Sequence, residues 1–193
     1  MSSSLTSVTI PDSVTSIGNG AFGSCSSLKS VYISDLLAWC KIDFGGNAGS
    51  YYSNPLCNRA KLYLNGSELT DITIPSDVAE IKSAAFEGCS SLTSVTIPDS
   101  VTSIGFAAFK GCSSLISVTI PNSVTSIGGQ AFYGCSSLTE VYCKPTTPPS
   151  GGYSIFDRNA SGRKIYVPTA SVDEYKSAAY WSDYASDIVG YVF

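Results

Sequence analysis

The sequence predicts an α/β repeat solenoid, in which short coils of chain stack into one continuous array. Leucine recurs at a spacing of 23 residues along most of the 193-residue chain. A short apolar alternation followed by proline stands at the same place in successive units. Each unit has one apolar side that it cannot bury alone, so stacking of units is needed to form a core.

The repeat is marked by a column of six leucines: Leu5, Leu28, Leu69, Leu92, Leu115 and Leu138. Four of the five intervals are 23 residues long, and the interval from Leu28 to Leu69 is 41 residues long. The segment LTSVTIPDSVTSIG occurs twice without change, at 5–18 and 92–105. Such identity predicts coils of the same shape.

Each coil is predicted to begin with a short strand. Val95 and Ile97 illustrate the alternation of a strand with one buried face. Pro98 then ends the strand, because proline lacks an N–H group for the ladder. The later pair Ala108-Phe109 sets a large ring beside a small neighbour. We expect equivalent side chains to stack at the inter-strand spacing of about 4.8 Å.

The first unit contains GNGAFG at Gly18–Gly23, which satisfies the dinucleotide-binding spacing G-x-G-x-x-G. The other units have KSAAFE, GFAAFK and GGQAFY at this place. A phosphate-binding loop cannot carry such side chains where its backbone approaches the ligand. The match is therefore interpreted as a coincidence of one repeat.

The consensus L-x-x-V-x-I-P-x-S-V-x-x-I-G-x-x-A-F-x-G-C-x-x resembles the BspA-like leucine-rich repeats over nearly the whole chain. The resemblance implies a leucine-rich-repeat horseshoe with a short parallel sheet on its concave side. It also implies a bacterial cell-surface or secreted protein that adheres to host proteins or to other cells.

The solenoid is expected to span residues 1–143, with an irregular insert at about 34–68. Within the insert, Asp35–Ile42 is predicted to be a short helix. Lys61–Leu64 and Leu69–Ile74 flank Asn65-Gly66, a strong signal for a two-residue hairpin turn.

The insert is interpreted as a structural elaboration at one edge of the array. The alternative is a protruding ligand loop, since insertions often decorate the binding face of a solenoid. Its aromatic residues keep that alternative open: Trp39, Tyr51 and Tyr52.

Residues 144–193 leave the repeat pattern and are predicted to form a capping segment that closes the core of the last coil. A strand is expected within Arg163–Pro168. Ser171 and Glu174 have the spacing of a capping box, which predicts a helix at about Val172–Ala179. The chain starts without a signal-peptide pattern or a cap, so we expect it to be part of a longer protein.

Composition argues against several function classes. A net charge of −4 with 11 Lys and Arg provides no basic patch for nucleic acid or for an anionic membrane. No apolar run is long enough to span a bilayer, so membrane insertion of this segment is not expected. Histidine, the commonest general base, is absent, and the carboxylates are scattered. We therefore predict no enzyme, no catalytic residue and no cofactor.

Four of the seven cysteines occupy one repeat column: Cys25, Cys89, Cys112 and Cys135. A straight row of thiolates cannot surround one metal ion tetrahedrally, and parallel Cβ vectors do not suit disulfides. We predict buried free thiols and no metal site. Spacing alone leaves open whether Cys40 and Cys57 form a bridge.

The predicted function is a non-catalytic adhesion module, at the cell surface or outside the cell, that binds a host matrix protein, a cell-surface protein or a surface glycan. The alternative is a passive stalk or spacer within a longer surface protein. In the predicted strands, most outward positions are serine or threonine. Four substitutions of that pattern are the candidate ligand-binding residues: Tyr32, Asp71, Glu140 and Tyr142.

Two other interpretations compete with this assignment. In the first, Tyr32 and Tyr142 bind no ligand and only cover apolar surface beside the insert and the cap. On the opposite, convex side, three residues that vary between repeats form the competing patch: Phe106, Lys110 and Tyr133.

Overall fold

The computed structural model describes residues 4–45 and 53–193. In chain order, the strands are β1 (Ser7–Thr9), β2 (Ser30–Ile33), β3 (Lys61–Leu64), β4 (Ser67–Glu68), β5 (Asp71–Thr73), β6 (Glu80–Ile81), β7 (Ser94–Thr96), β8 (Ser103–Ile104), β9 (Ser117–Ile120), β10 (Ser126–Ile127), β11 (Glu140–Cys143), β12 (Ser150–Gly151), β13 (Lys164–Pro168) and β14 (Ile188–Tyr191). The α-helices are α1 (Leu36–Lys41) and α2 (Val172–Ser177). Further 3₁₀ turns cover Pro55–Asn58, Thr169–Ser171 and Ser182–Tyr184.

The strands that begin the coils pair in parallel and form the strand row: β1-β2-β3, β5-β7 and β9-β11-β13-β14. Equivalent residues are direct partners across this row. Val8 pairs with Val31, and Val118 pairs with Val141. The chain is therefore a repeat solenoid, as predicted, because equal spacing in the sequence brings equivalent residues side by side.

A second parallel sheet, β6-β8-β10-β12, lies at the next corner of each coil. It contains only two residues from each coil, such as Ser103 and Ile104 paired with Ser126 and Ile127. Sequence analysis identified the buried isoleucine here but not the sheet, since two residues are too few to show a strand alternation.

The Ala-Phe segments close each coil with turns. Both α-helices of the described residues lie outside the regular coils, one in the insert and one in the C-terminal segment. One turn position has a left-handed backbone in successive coils, with φ of 68° at Gly20, 59° at Ala84, 54° at Ala107 and 59° at Gln130. Gly20 of the GNGAFG match thus occupies a turn position that recurs without glycine, which agrees with the interpretation of that match as coincidence.

A stack of phenylalanines runs through the core. Phe86, Phe109 and Phe132 follow one another at centroid distances of 5.4 and 5.3 Å, with nearly parallel rings. Phe156 of the C-terminal segment continues the stack 5.7 Å beyond Phe132. All four rings are fully buried. Trp181 then packs on Phe156 at 5.9 Å, so apolar side chains of residues 144–193 cover the last ring.

The insert contains the predicted helix and part of the predicted hairpin. The Asp35 carboxylate caps α1 by accepting hydrogen bonds from the N–H groups of Leu37 and Ala38. Asn65 and Gly66 turn the chain from β3 into the antiparallel β4. The return arm is shorter than predicted, because β5 joins the strand row by pairing with β7.

In the C-terminal segment, the predicted strand β13 and helix α2 are present, but the capping box is not formed. The Ser171 side chain makes no capping hydrogen bond. The reason is the preceding 3₁₀ turn at Thr169–Ser171, which leads directly into the helix and leaves Ser171 buried with φ −103° and ψ 0° rather than extended.

Candidate binding surface

The outward side chains of the strand row form the surface that we call the strand face. Its residues occupy two columns: Ser7, Ser30, Lys61, Asp71, Ser94, Ser117, Glu140 and Lys164 in one, and Thr9, Tyr32, Tyr63, Thr73, Thr96, Thr119, Tyr142 and Tyr166 in the other. The alternation is clear in β5, where the exposed Asp71 and Thr73 flank the buried Ile72.

Tyr32 is the exposed half of an aromatic pair near the first end of the strand face. Its ring stacks on Tyr63 with centroids 5.0 Å apart and 26° between the ring planes. The two residues are register partners in β2 and β3. Tyr32 remains 37% exposed, so the pair leaves a tyrosine ring open to solvent.

Tyr142 belongs to a larger aromatic group, which we call the C-terminal aromatic cluster and define as Tyr142, Tyr166, Tyr191 and Phe193. Tyr142 stacks on Tyr166 at 4.8 Å. Tyr191 meets Tyr142 and Tyr166 edge-on at 5.6 and 5.5 Å, and Phe193 lies 5.0 Å from Tyr191. Sequence analysis identified only Tyr142, because the other three rings lie outside the regular repeats.

The two acidic candidates have different surroundings. Asp71 accepts hydrogen bonds from the hydroxyls of Thr70, at 2.9 Å, and Thr93, at 3.2 Å. Glu140 lies beside Tyr142, and burial followed by the Glu140 charge raises the pKa of the Tyr142 phenol. The structure therefore brings Glu140 and Tyr142 together. Tyr32 and Asp71 lie elsewhere on the same face.

The competing convex residues take part in contacts between coils. Phe106 packs against Tyr153 with centroids 6.2 Å apart. Lys110 forms an ion pair with Glu87 at 3.3 Å. The Arg158 guanidinium lies 5.3 Å from the centre of the Tyr133 ring. All three are half-buried, as is Tyr142, whereas Tyr32 on the strand face is exposed.

The cysteine column is buried, as predicted, and its thiols also form hydrogen bonds. Cys112 donates to the carbonyl of Phe86 at 3.3 Å, and Cys135 donates to that of Phe109 at 3.1 Å. At irregular coils an asparagine amide takes this place: Asn58 donates to the carbonyl of Phe22 at 2.9 Å and Asn159 to that of Phe132 at 2.8 Å. Each turn carbonyl thus has a donor from another coil.

Burial raises the pKa of the Cys89 thiol to about 12 and that of Cys112 well above its usual range. Cys40 and Cys57, for which a bridge was left open, are free thiols. In the described part of the chain no group of potential ligands could hold a metal ion. No helix within those residues has the length and apolar character needed to cross a bilayer.

The ligand-loop interpretation of the insert does not hold for Trp39. This side chain is 1% exposed, and its Nε1–H donates to the carbonyl of Ala85 at 3.1 Å. Trp39 therefore anchors the insert to the next coil. Tyr51 and Tyr52 lie outside the described residues.

Comparison with known proteins supports the repeat assignment. The model of the BspA type leucine rich repeat region matches residues 1–41 and 59–185 in six copies. The structure is similar to a leucine-rich repeat protein from Bacteroides ovatus, with 27% identity and a TM-score of 0.55 over 98% of this chain and 43% of that chain. It is also similar to a leucine-rich repeat protein from Eubacterium ventriosum, with 23% identity and a TM-score of 0.54 over 87% of this chain and 44% of that chain.

The chain thus spans less than half the length of these two solved structures. No curated protein matches its sequence.

Proposed function

Because the chain belongs to the BspA-type leucine-rich repeat family, we propose that it is a non-catalytic interaction module that binds a host matrix protein or cell-surface protein. Binding takes place through the strand face. In this proposal the array curves like a horseshoe with the strand face on its concave side, and residues 144–193 form its cap. The module works at the cell surface or outside the cell, within a longer protein.

The observation that carries this proposal is that stacked tyrosines reach the solvent on the strand face, where Tyr32 is exposed and Tyr142 is half-buried. Much of the face between them is serine and threonine, which have little apolar area to bury in a complex. Tyrosine supplies rigid, amphipathic contact area and is enriched among the residues that dominate binding energy. Tyr32 and Tyr142 therefore provide the strongest contacts, with Asp71 and Glu140 adding polar ones.

The test begins with this chain as immobilised bait against host matrix and serum proteins. Each partner found is then measured against two double variants, Tyr32→Ser with Tyr142→Ser and Phe106→Ser with Tyr133→Ser. We expect the first pair to weaken binding at least tenfold, as about 1.4 kcal/mol does, and the convex pair to leave it unchanged. Loss of binding in the convex pair alone contradicts the strand-face assignment. If the immobilised chain captures no partner, the result supports the alternative function, a passive stalk.

A further inference from the structure

We propose that the cavity beside the C-terminal aromatic cluster binds an extended, proline-rich peptide segment that carries a carboxylate. This inference rests on the proposed function, since it names the partner chemistry for one end of the strand face. The cavity has a volume of about 390 Å³. Its lining is formed by Thr119, Tyr142, Lys144, Tyr191, Val192 and Phe193.

Three residues of the cavity wall expose apolar side chains next to one another. Val192 is 86% exposed, Phe193 50% and Tyr191 42%. The neighbouring outward positions, Thr119 and Ser117, are short and polar. A contiguous apolar patch rimmed by polar residues is typical of an interaction site.

The surrounding sheet decides the backbone conformation of the ligand. β11 is paired with β9 and β13 on its two edges, and β13 is paired with β11 and β14. β11, which carries the lining residue Tyr142, therefore has no free edge, so a peptide that lies over Tyr142 cannot bind to β11 by strand addition. Its backbone must instead take hydrogen bonds from side chains, such as the hydroxyls of the tyrosines and the Lys144 ammonium.

A polyproline II segment suits these donors. Its carbonyl groups have no internal partners, and its conformation is ordered before binding, so little entropy is lost. An α-helix satisfies its own carbonyl groups and would leave these side-chain donors without a partner. Ring faces and edges such as those of Tyr142 and Tyr191 form the aromatic-lined grooves that receive proline-rich segments.

Charge selects an acidic ligand. The chain has a net charge of −4, yet the exposed charged side chain that lines the cavity is Lys144. Among the described residues, neither Lys144 nor the nearby Lys164 takes part in an ion pair. The closest acid in the sequence, Glu140, interacts with the Tyr142 hydroxyl. A ligand carboxylate therefore finds an unneutralised cation at Lys144.

The experiment uses three synthetic peptides with blocked ends: three copies of Pro-Pro-Glu, three copies of Pro-Pro-Lys, and three copies of Gly-Ser-Glu. Each is titrated into the full chain by calorimetry. The protein variants are Lys144→Glu and Phe193→Ser. Lys41→Glu is the matched control, because Lys41 is also exposed and lies at the end of α1, away from the cavity. Circular dichroism checks that each variant is folded.

We expect only the Pro-Pro-Glu peptide to bind, and Lys144→Glu and Phe193→Ser each to weaken it about tenfold, the equivalent of one charge-assisted hydrogen bond. Lys41→Glu should change the affinity less than twofold. Equal binding of the Gly-Ser-Glu peptide overturns the polyproline requirement, and equal binding of the Pro-Pro-Lys peptide overturns the carboxylate requirement. If no peptide binds while Tyr32→Ser with Tyr142→Ser still abolishes binding of a protein partner, this inference fails and the proposed function stands.

Discussion

Gly128 lies against the backbone of Phe106 in the preceding coil, so closely that a Cβ atom on Gly128 would come within 2.5 Å of the Phe106 amide nitrogen. Gly105 has the same relationship with Ser83, also at 2.5 Å. The equivalent Gly18, in the first coil, has no such neighbour within 4 Å. At Gly105 and Gly128, the glycine after isoleucine is therefore required by the approach of one coil to the next, whereas another coil has Lys82 at the same position.

We expect Gly128→Ala to lower the free energy of unfolding by about 1–3 kcal/mol, the usual cost of overpacking a tight contact. Gly18→Ala is the matched control at the same repeat position, and its effect should stay within about 0.5 kcal/mol. Urea unfolding followed by circular dichroism measures both. Equal effects of the two substitutions contradict the close approach between coils.

The phenylalanine stack predicts a second pair of unequal effects. Phe109 is fully buried between Phe86 and Phe132, whereas Phe22 at the equivalent position is half-buried. Phe109→Ala should cost about 3–5 kcal/mol, because it leaves a cavity between two rings. Phe22→Ala should cost less than half as much. Thermal melts measure both variants. A larger loss of stability for Phe22→Ala than for Phe109→Ala would argue against the stack.

The thiols should differ in reactivity according to burial. Cys112 and Cys135 are fully buried, while Cys57 is half-buried in the insert. We expect a thiol reagent at neutral pH to spare Cys112 and Cys135 in the native protein and to modify Cys57 first, because the reagent must reach the sulfur. Mass spectrometry of the labelled protein identifies the sites. Rapid labelling of Cys112 without denaturant contradicts the stacked core.

Burial of thiols also predicts loss of stability at alkaline pH. The pKa values of Cys89 and Cys143 are raised to about 12 by burial, whereas an unfolded thiol titrates near about 8.5. Between these values the native state keeps protons that the unfolded state releases, so the free energy of unfolding falls as pH rises. The stability that the protonated thiols contribute to the folded state is fully present below about pH 8.5 and is lost as the pH rises toward 12.

Each such thiol contributes a slope of about 1.4 kcal/mol per pH unit within that window. The variant Cys89→Ala with Cys143→Ala should therefore show a shallower decline than the unmodified protein in urea titrations between about pH 9 and 11. Identical slopes for the two proteins would show that these thiols are not protected in the folded state.

The candidate site was only partly visible in the sequence. Tyr32 and Tyr142 stand out because they replace threonine in a repeated column. Their partners Tyr63 and Tyr191 belong to segments without the sequence repeat, so an alignment of the repeats does not identify them. Whether the four candidate residues bind a ligand stays a prediction.

The repeat by itself determined the stacking of coils, the inward faces of the strands and the burial of the cysteine column, because equal spacing places equivalent residues side by side. Only the tertiary structure decided which ring Tyr32 stacks on, how Trp39 anchors the insert and why Ser171 fails to cap α2. These contacts join segments outside the repeat, and their geometry depends on the path of the chain in space rather than on a spacing along it.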